Sequence, residues 1–220
     1  MVFQEGIISD GIYIYSFLPL KILGFASSSW HSFRVHIVNI VTLSDGSKYV
    51  LDVGFGGDQP TKPLPLVDGR TTHNLGTQEV RLVFDTIPQQ VDQSKKLWIY
   101  QYRNGPDLPW NSFYCFPELE FLHHDYEIMN YYTSNSVGET NFQTRTLLIV
   151  KFLREGENIC GKIMLVNGEV KENMGGKTAL LKTFKTEQER VDGLKNYYGI
   201  TLIDEEVQGV KGRNVELPGA

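Results

Sequence analysis

Apolar and polar residues alternate over several short stretches between positions 33 and 102, which is the pattern of half-buried strands. Segments rich in Gly, Pro and Asp separate these stretches, notably GFGGDQPTKPLPLVDG at 54–69. Short strands divided in this way predict a barrel or a sandwich. The predicted strands are 35–43, 48–53, 79–84 and 97–102.

The second half of the chain mixes strand and helix patterns. The stretch at 144–153 predicts a strand, and 161–172 predicts a hairpin with Asn167 and Gly168 in a type I′ turn. TALLKTFK at 178–185 fits either a strand or the start of a helix. The clearest helix is TEQERVDGLKNYYGI, where Thr186 and Glu189 form a capping box and Gly199 ends the helix.

Two further segments have weaker helical patterns. YSFLPLKILGF at 15–25 predicts a short helix or turn, and about one helical turn is expected near 125–131. Taken together, these elements predict an α+β protein with a β-barrel unit followed by a small α/β unit.

Composition narrows the function classes. The 220 residues carry a net charge of −5 without a Lys/Arg cluster, so a nucleic acid is not expected as a partner. The apolar runs are too short to span a bilayer, and the first residues do not resemble a secretory signal. With two cysteines, Cys115 and Cys160, a disulfide scaffold is not expected, and a reducing cytoplasm is the expected location.

A histidine and an aspartate stand alone in two neighbouring strand-like stretches. If Ser44-Asp45-Gly46 is a three-residue loop with Gly46 in the left-handed conformation, Val38 faces Asp52 across the hairpin. His36 then lies on the same face as Asp52, offset by roughly 7 Å along the strand. A two-residue loop would put His36 on the opposite face, so the geometry depends on the turn.

A buried carboxylate beside an imidazole fixes the histidine tautomer and stabilises the imidazolium, so the other ring nitrogen can take a proton from a thiol or hydroxyl. The alternative is a histidine that is merely satisfied in the core and an aspartate that starts a turn. Spacing alone leaves both interpretations open.

Three longer motifs surround this pair: H-x-x-N-I-V at 36–41, Y-V-L-D-V-G-F-G-G at 49–57 and P-x-x-P-L-P-L at 60–66. They resemble motifs of the arylamine N-acetyltransferase family. Further similarity covers LGF at 23–25, the D-x-x-x-x-N-x-Y stretch at 125–132, and the segment from 170 to 200.

The resemblance implies a cysteine–histidine–aspartate triad that moves an acetyl group from acetyl-CoA to the nitrogen of an arylamine or hydrazine. His36 would be the base and Asp52 its orienting partner. Gly54, Phe55 and Gly56 would lie beside the substrate, and Tyr132 is a weaker candidate for cofactor contact. The family fold, which resembles cysteine proteases, has an N-terminal helical bundle, a central β-barrel and a C-terminal α/β lid.

The family nucleophile lies in an R-G-G-x-C-type motif upstream of LGF, and this sequence has no such motif there. We therefore expect a family member that lacks most of its helical bundle. The expected domains are a helical remnant at 1–30, the barrel at 31–135 and the lid at 136–220. The 220-residue chain would then be inactive. The alternative is a non-catalytic relic that binds CoA or aromatic amines, or that needs a partner to supply the missing helices.

Other candidates for chemistry are weaker. Cys115 and Cys160 are expected to be small buried hydrophobes. Adjacent histidines such as His123 and His124 rarely chelate one ion, so a metal is not expected. His31 is expected to be a loop residue, and GFGG lacks the Lys and Ser/Thr of a phosphate-binding loop.

Overall fold

A computed structural model describes the backbone of 13–17, 22–23 and 30–31, and describes residues 36–138 and 141–218 in full. The chain forms two compact units. The first contains the described residues up to Asn74 together with Glu79–Met129, and the second contains Leu75–Gln78 and the described residues from Asn130 onward.

The first unit contains two four-stranded antiparallel sheets and one short strand pair. The first sheet has the order β1-β4-β5-β6, the second has the order β10-β9-β8-β7, and β2 pairs with β3. The strands are β1 Tyr13–Phe17, β2 Ile22–Leu23, β3 Trp30–His31, β4 Val38–Thr42, β5 Lys48–Leu51, β6 Leu64–Pro65, β7 Thr72–His73, β8 Glu79–Asp85, β9 Leu97–Arg103 and β10 Asn111–Phe116.

The two four-stranded sheets of this unit share one apolar core. Alternate side chains of β4, β8 and β9 point into it because successive residues of a strand face opposite sides of the sheet. The first sheet contributes Val38, Ile40 and Val50, and the second contributes residues such as Leu82 and Tyr100, each no more than 1% exposed. This core supports the ends of the β4–β5 hairpin.

The β4–β5 hairpin has the predicted three-residue loop. Thr42 pairs with Lys48, and the N–H of Leu43 donates to the carbonyl of Ser47 at 2.8 Å, which leaves 44–46 as the connection. Gly46 has φ = 83°, the left-handed conformation that glycine adopts without steric cost. The register therefore places His36 and Asp52 on the same face, as expected from the loop length.

The second unit is a four-stranded antiparallel sheet with helices. Its sheet has the order β11-β12-β13-β14. The strands are β11 Leu148–Glu155, β12 Asn158–Val166, β13 Glu169–Asn173 and β14 Thr178–Thr183. The helices of the described chain are α1 His123–Asn135, which crosses from the first unit into the second, α2 Phe142–Arg145, α3 Glu187–Gly193, a π-helical turn Leu194–Tyr198, α4 Asp204–Val207 and a 3₁₀ turn Gln208–Val210.

Helix α3 begins and ends where its sequence signals predict. The hydroxyl of Thr186 accepts a hydrogen bond from the backbone N–H of Glu189 at 3.2 Å. Gly199 has φ = 73° and ends the π-helical turn that continues α3. The buried Leu194 packs with Leu165, Val170 and other members of the core of this unit.

A buried arginine forms hydrogen bonds that link the C-terminal segment to this core. Arg190 is 1% exposed and pairs with Glu187. Its Nη1 donates to the carbonyl of Val215 at 2.9 Å, and the backbone N–H of Leu217 donates to Glu187 at 2.8 Å. A buried guanidinium is tolerated here because a carboxylate and carbonyl oxygens take its hydrogen bonds.

Several sequence predictions differ from the structure. A type I′ turn needs a positive φ at both central residues, but only Asn167 has one, at 54°. The short helix or turn predicted at 15–25 is wrong where the chain is described, because 15–17 and 22–23 lie in strands β1 and β2. Helix α1, with 13 residues, is longer than the single turn expected. TALLKT at 178–183 is a strand, which is one of the two structures that its sequence fitted.

Within the part of the chain that the structure describes, the helices are too short or too polar to cross a bilayer. The longest of them, α1, has 13 residues.

Candidate functional site

The histidine and aspartate singled out in the sequence form a hydrogen-bonded pair. Nε2 of His36 lies 2.7 Å from Oδ1 of Asp52. The carboxylate side chain is fully buried and the imidazole is 12% exposed. An ionised carboxylate only accepts hydrogen bonds, so beside it a neutral imidazole donates from Nε2 and keeps its lone pair on Nδ1.

The carboxylate of Asp52 has further donors that hold its position. The hydroxyl of Tyr114 donates to Oδ2 at 2.7 Å, and the backbone N–H of Gly54 reaches Oδ1 at 3.4 Å. Tyr114 is fully buried. Hydrogen bonds to both oxygens offset the cost of burying the charge and fix the plane in which the imidazole is held.

A β-bulge in β10 brings Tyr114 to this position. Ser112 pairs with Gln101 and Tyr114 pairs with Tyr100, so Phe113 is an extra residue in its strand. As a result, Phe113 and Tyr114 both belong to the core under the site, although adjacent strand residues normally face opposite sides.

Sequence reasoning missed Tyr114. It lies 62 residues from Asp52 along the chain, and it reaches the site only through the bulge. The aromatic run at 113–116 was visible in the sequence, but alternation alone did not show which of its rings faces Asp52.

An aromatic wall flanks the imidazole. The ring centroids of Phe55 and His36 are 5.2 Å apart at an interplanar angle of 68°. Phe55 in turn meets Phe113 at 4.5 Å in an edge-to-face arrangement. Gly54 approaches the imidazole so closely that an added Cβ would lie 3.8 Å from Cε1 of His36. Gly54 and Phe55 therefore lie beside the histidine.

Buried polar groups hold the loop that carries Phe55. The side chain of Asn74, which is 8% exposed, accepts from the N–H of Thr61 at 2.7 Å and donates to the carbonyl of Gln59 at 3.1 Å. Gln59 accepts from the N–H of Gly56 at 3.1 Å, and Gly56 has φ = 102°. The conformation at Gly56 excludes most other residues because a Cβ would be strained there.

Burial changes the acidity of the two phenols beneath the site. Burial and the negative charge of Asp52 raise the pKa of Tyr114 well above its usual value. Burial and the charge of Asp52 raise the pKa of Tyr100 in the same way. Both phenols therefore stay protonated at neutral pH, so that Tyr114 remains a donor to Asp52.

The two cysteines of the sequence do not lie in the core beneath the pair. Cys115 follows Tyr114 in β10 and packs with Ile87 and Ile99 in a separate cluster. Alternation along the strand thus directs Cys115 to the opposite face of the sheet from Tyr114. Cys160 belongs to β12 of the second unit.

The remaining sequence candidates lie in other surroundings. His123 and His124 are exposed at the start of α1, where both lie within 3.7 Å of Glu127. Among the described residues, His, Cys, Asp and Glu do not form a cluster of three that could hold a metal ion. Tyr132 is a half-buried residue of α1, and its carbonyl accepts from the side chain of Asn141 at 3.1 Å. His31 lies in β3, and its side chain is outside the described residues.

This arrangement can perform general base chemistry. Asp52 orients the imidazole, and the free Nδ1 can accept a proton from a thiol, a hydroxyl or an amine brought to it. Phe55 provides an apolar surface against which a flat substrate can pack.

Two kinds of sequence comparison agree with the motifs. The family model described as N-acetyltransferase matches residues 19–207. The N-malonyltransferase FDB2 of Gibberella moniliformis is 32% identical over 180 residues, which cover 78% of this chain and 51% of that protein. Its counterpart in Fusarium pseudograminearum is 31% identical over 186 residues, which cover 80% and 53%. The chain thus spans about half the length of the curated relatives it matches.

Solved structures show the same fold. The arylamine N-acetyltransferase of Salmonella typhimurium has a TM-score of 0.70 at 22% identity and covers 91% of this chain and 68% of its own. The Mycobacterium marinum arylamine N-acetyltransferase in complex with CoA has a TM-score of 0.64 at 20% identity, covering 86% and 63%. From the motifs, the family match and the fold together, the chain belongs to the N-acetyltransferase family.

Proposed function

We propose that the chain carries the base and orienting residues of a cysteine-dependent N-acyltransferase, which moves an acetyl group from acetyl-CoA to an arylamine or hydrazine nitrogen. The observation that supports this most directly is the 2.7 Å contact between His36 and the buried Asp52, within a family of N-acetyltransferases. In this proposal His36 is the base, and Asp52 holds its tautomer.

The reaction has two halves. Nδ1 of His36 takes the proton of a cysteine thiol, and the thiolate attacks the thioester carbonyl of the acyl-CoA. A bond from the acyl carbon to the enzyme sulfur forms, the bond to the CoA sulfur breaks, and CoA leaves as a thiol with the proton from His36. The amine then attacks the acyl-enzyme, gives its proton to His36, and the cysteine thiol is restored.

The thiol is the component that the sequence does not place beside His36. The 220 residues contain cysteines only at 115 and 160, and Cys115 packs in a different cluster from Tyr114. By family resemblance, the nucleophile precedes the LGF segment at 23–25. We therefore expect the 220-residue polypeptide alone to show negligible acyl transfer, because a base without a nucleophile does not form the acyl-enzyme.

The aromatic neighbours of His36 support an aromatic acceptor. Phe55 and Phe113 form an apolar edge-to-face pair next to the imidazole, where an aryl ring can pack. We propose that Gly54, Phe55 and Gly56 contact this substrate. Tyr132 is proposed as a weaker contact for the CoA cofactor.

A second candidate differs in the acyl group. The curated relatives of about 32% identity are named N-malonyltransferases, which favours malonyl-CoA as an alternative donor. The chemistry at His36 would be the same, since both donors are thioesters.

The proposed activity is tested with the native protein, purified from cells that express this sequence. It is incubated with acetyl-CoA or malonyl-CoA and an arylamine, and the rate of CoA release is measured. We expect release that depends on the amine and falls by at least about 100-fold in His36→Gln, because general base catalysis contributes that much or more. His123→Gln, an exposed histidine of the same unit, is the matched control and retains the wild-type rate.

The ratio of kcat/KM for the two thioesters identifies the donor. A higher value for acetyl-CoA supports acetyl transfer, and a higher value for malonyl-CoA supports the second candidate. Equal rates for His36→Gln and wild type with both donors would contradict either form of the proposal.

The non-catalytic alternative makes a separate prediction. A relic that binds CoA or an aromatic amine would show a melting temperature that rises with ligand concentration in the absence of turnover. A rise that accompanies His36-dependent CoA release would instead support the enzyme.

A further inference from the structure

A polar cluster lies on the face of the second sheet that points away from the core under His36. It is built from cross-strand pairs: Glu79 opposite Arg103, Arg81 opposite Gln101, and Gln101 opposite Ser112. Their neighbours along the strands, Val80, Leu82 and Tyr100, point into the core on the other face.

Two guanidinium groups of this cluster lie over the same indole ring. The Cζ atom of Arg81 lies 4.1 Å from the ring centroid of Trp110, and that of Arg103 lies 4.6 Å from it. A guanidinium at this distance is attracted by the ring quadrupole and loses some of its freedom to rotate. Two like charges are therefore held close together on a half-buried face.

A carboxylate neutralises one of these charges. Both Nε and Nη2 of Arg103 lie 2.6 Å from Oε2 of Glu79. Arg81 has a neutral partner instead: its Nε donates to the side-chain oxygen of Gln101 at 2.9 Å. The amide of Gln101 donates in turn to Ser112 at 2.9 Å, which fixes the direction of its oxygen.

The terminal nitrogens of Arg81 are left available. Within the described part of the chain, neither of them makes a hydrogen bond, and no carboxylate lies within ion-pair distance of Arg81. Partial burial and the charge of Arg103 lower the pKa of this guanidinium, and the charge of Asp68 offsets only part of this. An anion bound at the two terminal nitrogens would stabilise the charged form of the guanidinium. The rigid, planar guanidinium can donate hydrogen bonds to two oxygen atoms of the same anion.

We propose that Arg81, held over Trp110, binds an oxyanion of the phosphate or carboxylate class on the outer face of the second sheet. The site needs both the charge and the planar shape of the guanidinium, while Gln101, Ser112 and Trp110 hold it in place. The proposal does not depend on the acyl transfer at His36.

The test follows the indole N–H signal of Trp110 by NMR in the 220-residue chain, with the signal assigned by its loss in Trp110→Phe. Sodium phosphate is titrated against chloride at constant ionic strength, and sodium acetate is titrated in the same way. We expect a saturable shift. A response to both anions identifies recognition by the planar fork, and a response to phosphate alone identifies a site for phosphoryl groups.

Variants separate a specific site from general attraction. Arg81→Gln should weaken binding at least tenfold, and Arg81→Lys should also weaken it at least tenfold because an ammonium lacks the fork. Arg70→Gln, which removes an exposed arginine of the same unit, should leave the affinity unchanged. Arg81→Lys keeps the charge and so provides the result if Arg81→Gln does not fold. A linear, non-saturating shift with both anions, or affinities unchanged in the Arg81 variants, would overturn the proposal.

Discussion

Replacement of Tyr114 by Phe removes one hydroxyl and leaves the ring in place. The lost group is the 2.7 Å donor to Oδ2 of Asp52, and both residues are buried. Because the aromatic packing with Tyr100 and Phe55 is retained, the change isolates the hydrogen bond from the packing.

The size of the effect follows from the charge of the acceptor. A hydrogen bond to a charged group contributes about 1.5–3 kcal/mol, and a buried oxygen left without its donor incurs its desolvation cost. We therefore expect the free energy of unfolding to fall by about 2 kcal/mol, which corresponds to a decrease in melting temperature of roughly 4–8 °C for a chain of this size.

Urea unfolding followed by tryptophan fluorescence measures this directly. Trp30, Trp98 and Trp110 all belong to the first unit, so the signal reports the unit that contains the site. Tyr49→Phe is the matched control in the same unit, because the hydroxyl of this half-buried residue makes no hydrogen bond within the part of the chain that the structure describes and its loss should change stability by less than about 0.5 kcal/mol. If Tyr114→Phe is as stable as this control, Asp52 does not depend on Tyr114 and the description of the site is wrong.

Three further predictions concern the phenols and two glycines. Because the pKa values of Tyr100 and Tyr114 are raised in the folded protein, the same phenols ionise first in the unfolded chain. The free energy of unfolding therefore keeps its full value below about pH 10 and falls above it by up to about 1.4 kcal/mol per pH unit for each phenol. The Tyr100→Phe/Tyr114→Phe double variant should flatten this slope in unfolding measured from about pH 9 to 12, and an unchanged slope would contradict the assignment. Gly46→Ala should lower the free energy of unfolding in urea by about 1 kcal/mol. The cause is the φ of 83° alone, because an added Cβ there meets no atom within 4 Å. An unchanged free energy of unfolding would argue against the three-residue loop. Gly193→Ala would place a Cβ 2.0 Å from Cζ of Phe184, so we expect the free energy of unfolding to fall by about 1–3 kcal/mol. Amide hydrogen exchange in α3 should then be faster than in the wild type, and equal protection would show that the ring of Phe184 is not packed there.

Local signals explain which parts of the fold could be predicted. The register of the β4–β5 hairpin follows from its loop length and from Gly46, so the proximity of His36 and Asp52 could be worked out before the structure. Helix α3 carries its own start signal, in which Thr186 accepts from Glu189. Both features depend on residues only a few positions apart.

The features that were missed depend on contacts between distant residues. Tyr114 reaches Asp52 through a bulge that places both Phe113 and Tyr114 in the core that the two sheets share. The turn at Asn167 is held by its neighbours: its N–H donates to the carbonyl of Leu147, and its own carbonyl accepts from Arg190. An added Cβ at Gly168 would lie 3.1 Å from the carbonyl oxygen of Phe184. These tertiary contacts set the turn conformation, whereas the dipeptide alone favours type I′.

The central claim is that His36 and Asp52 serve a cysteine thiol in acyl transfer. The most direct test is to expose the native protein, purified from cells that express this sequence, to radiolabelled acetyl-CoA and malonyl-CoA without amine, then to quench and map the label. We expect one hydroxylamine-labile acyl thioester, on a cysteine whose sulfur reaches Nδ1 of His36. Its formation should be lost in His36→Gln and retained in His123→Gln. A gene product that carries no acyl thioester, or one that is acylated equally after His36→Gln, would contradict the claim.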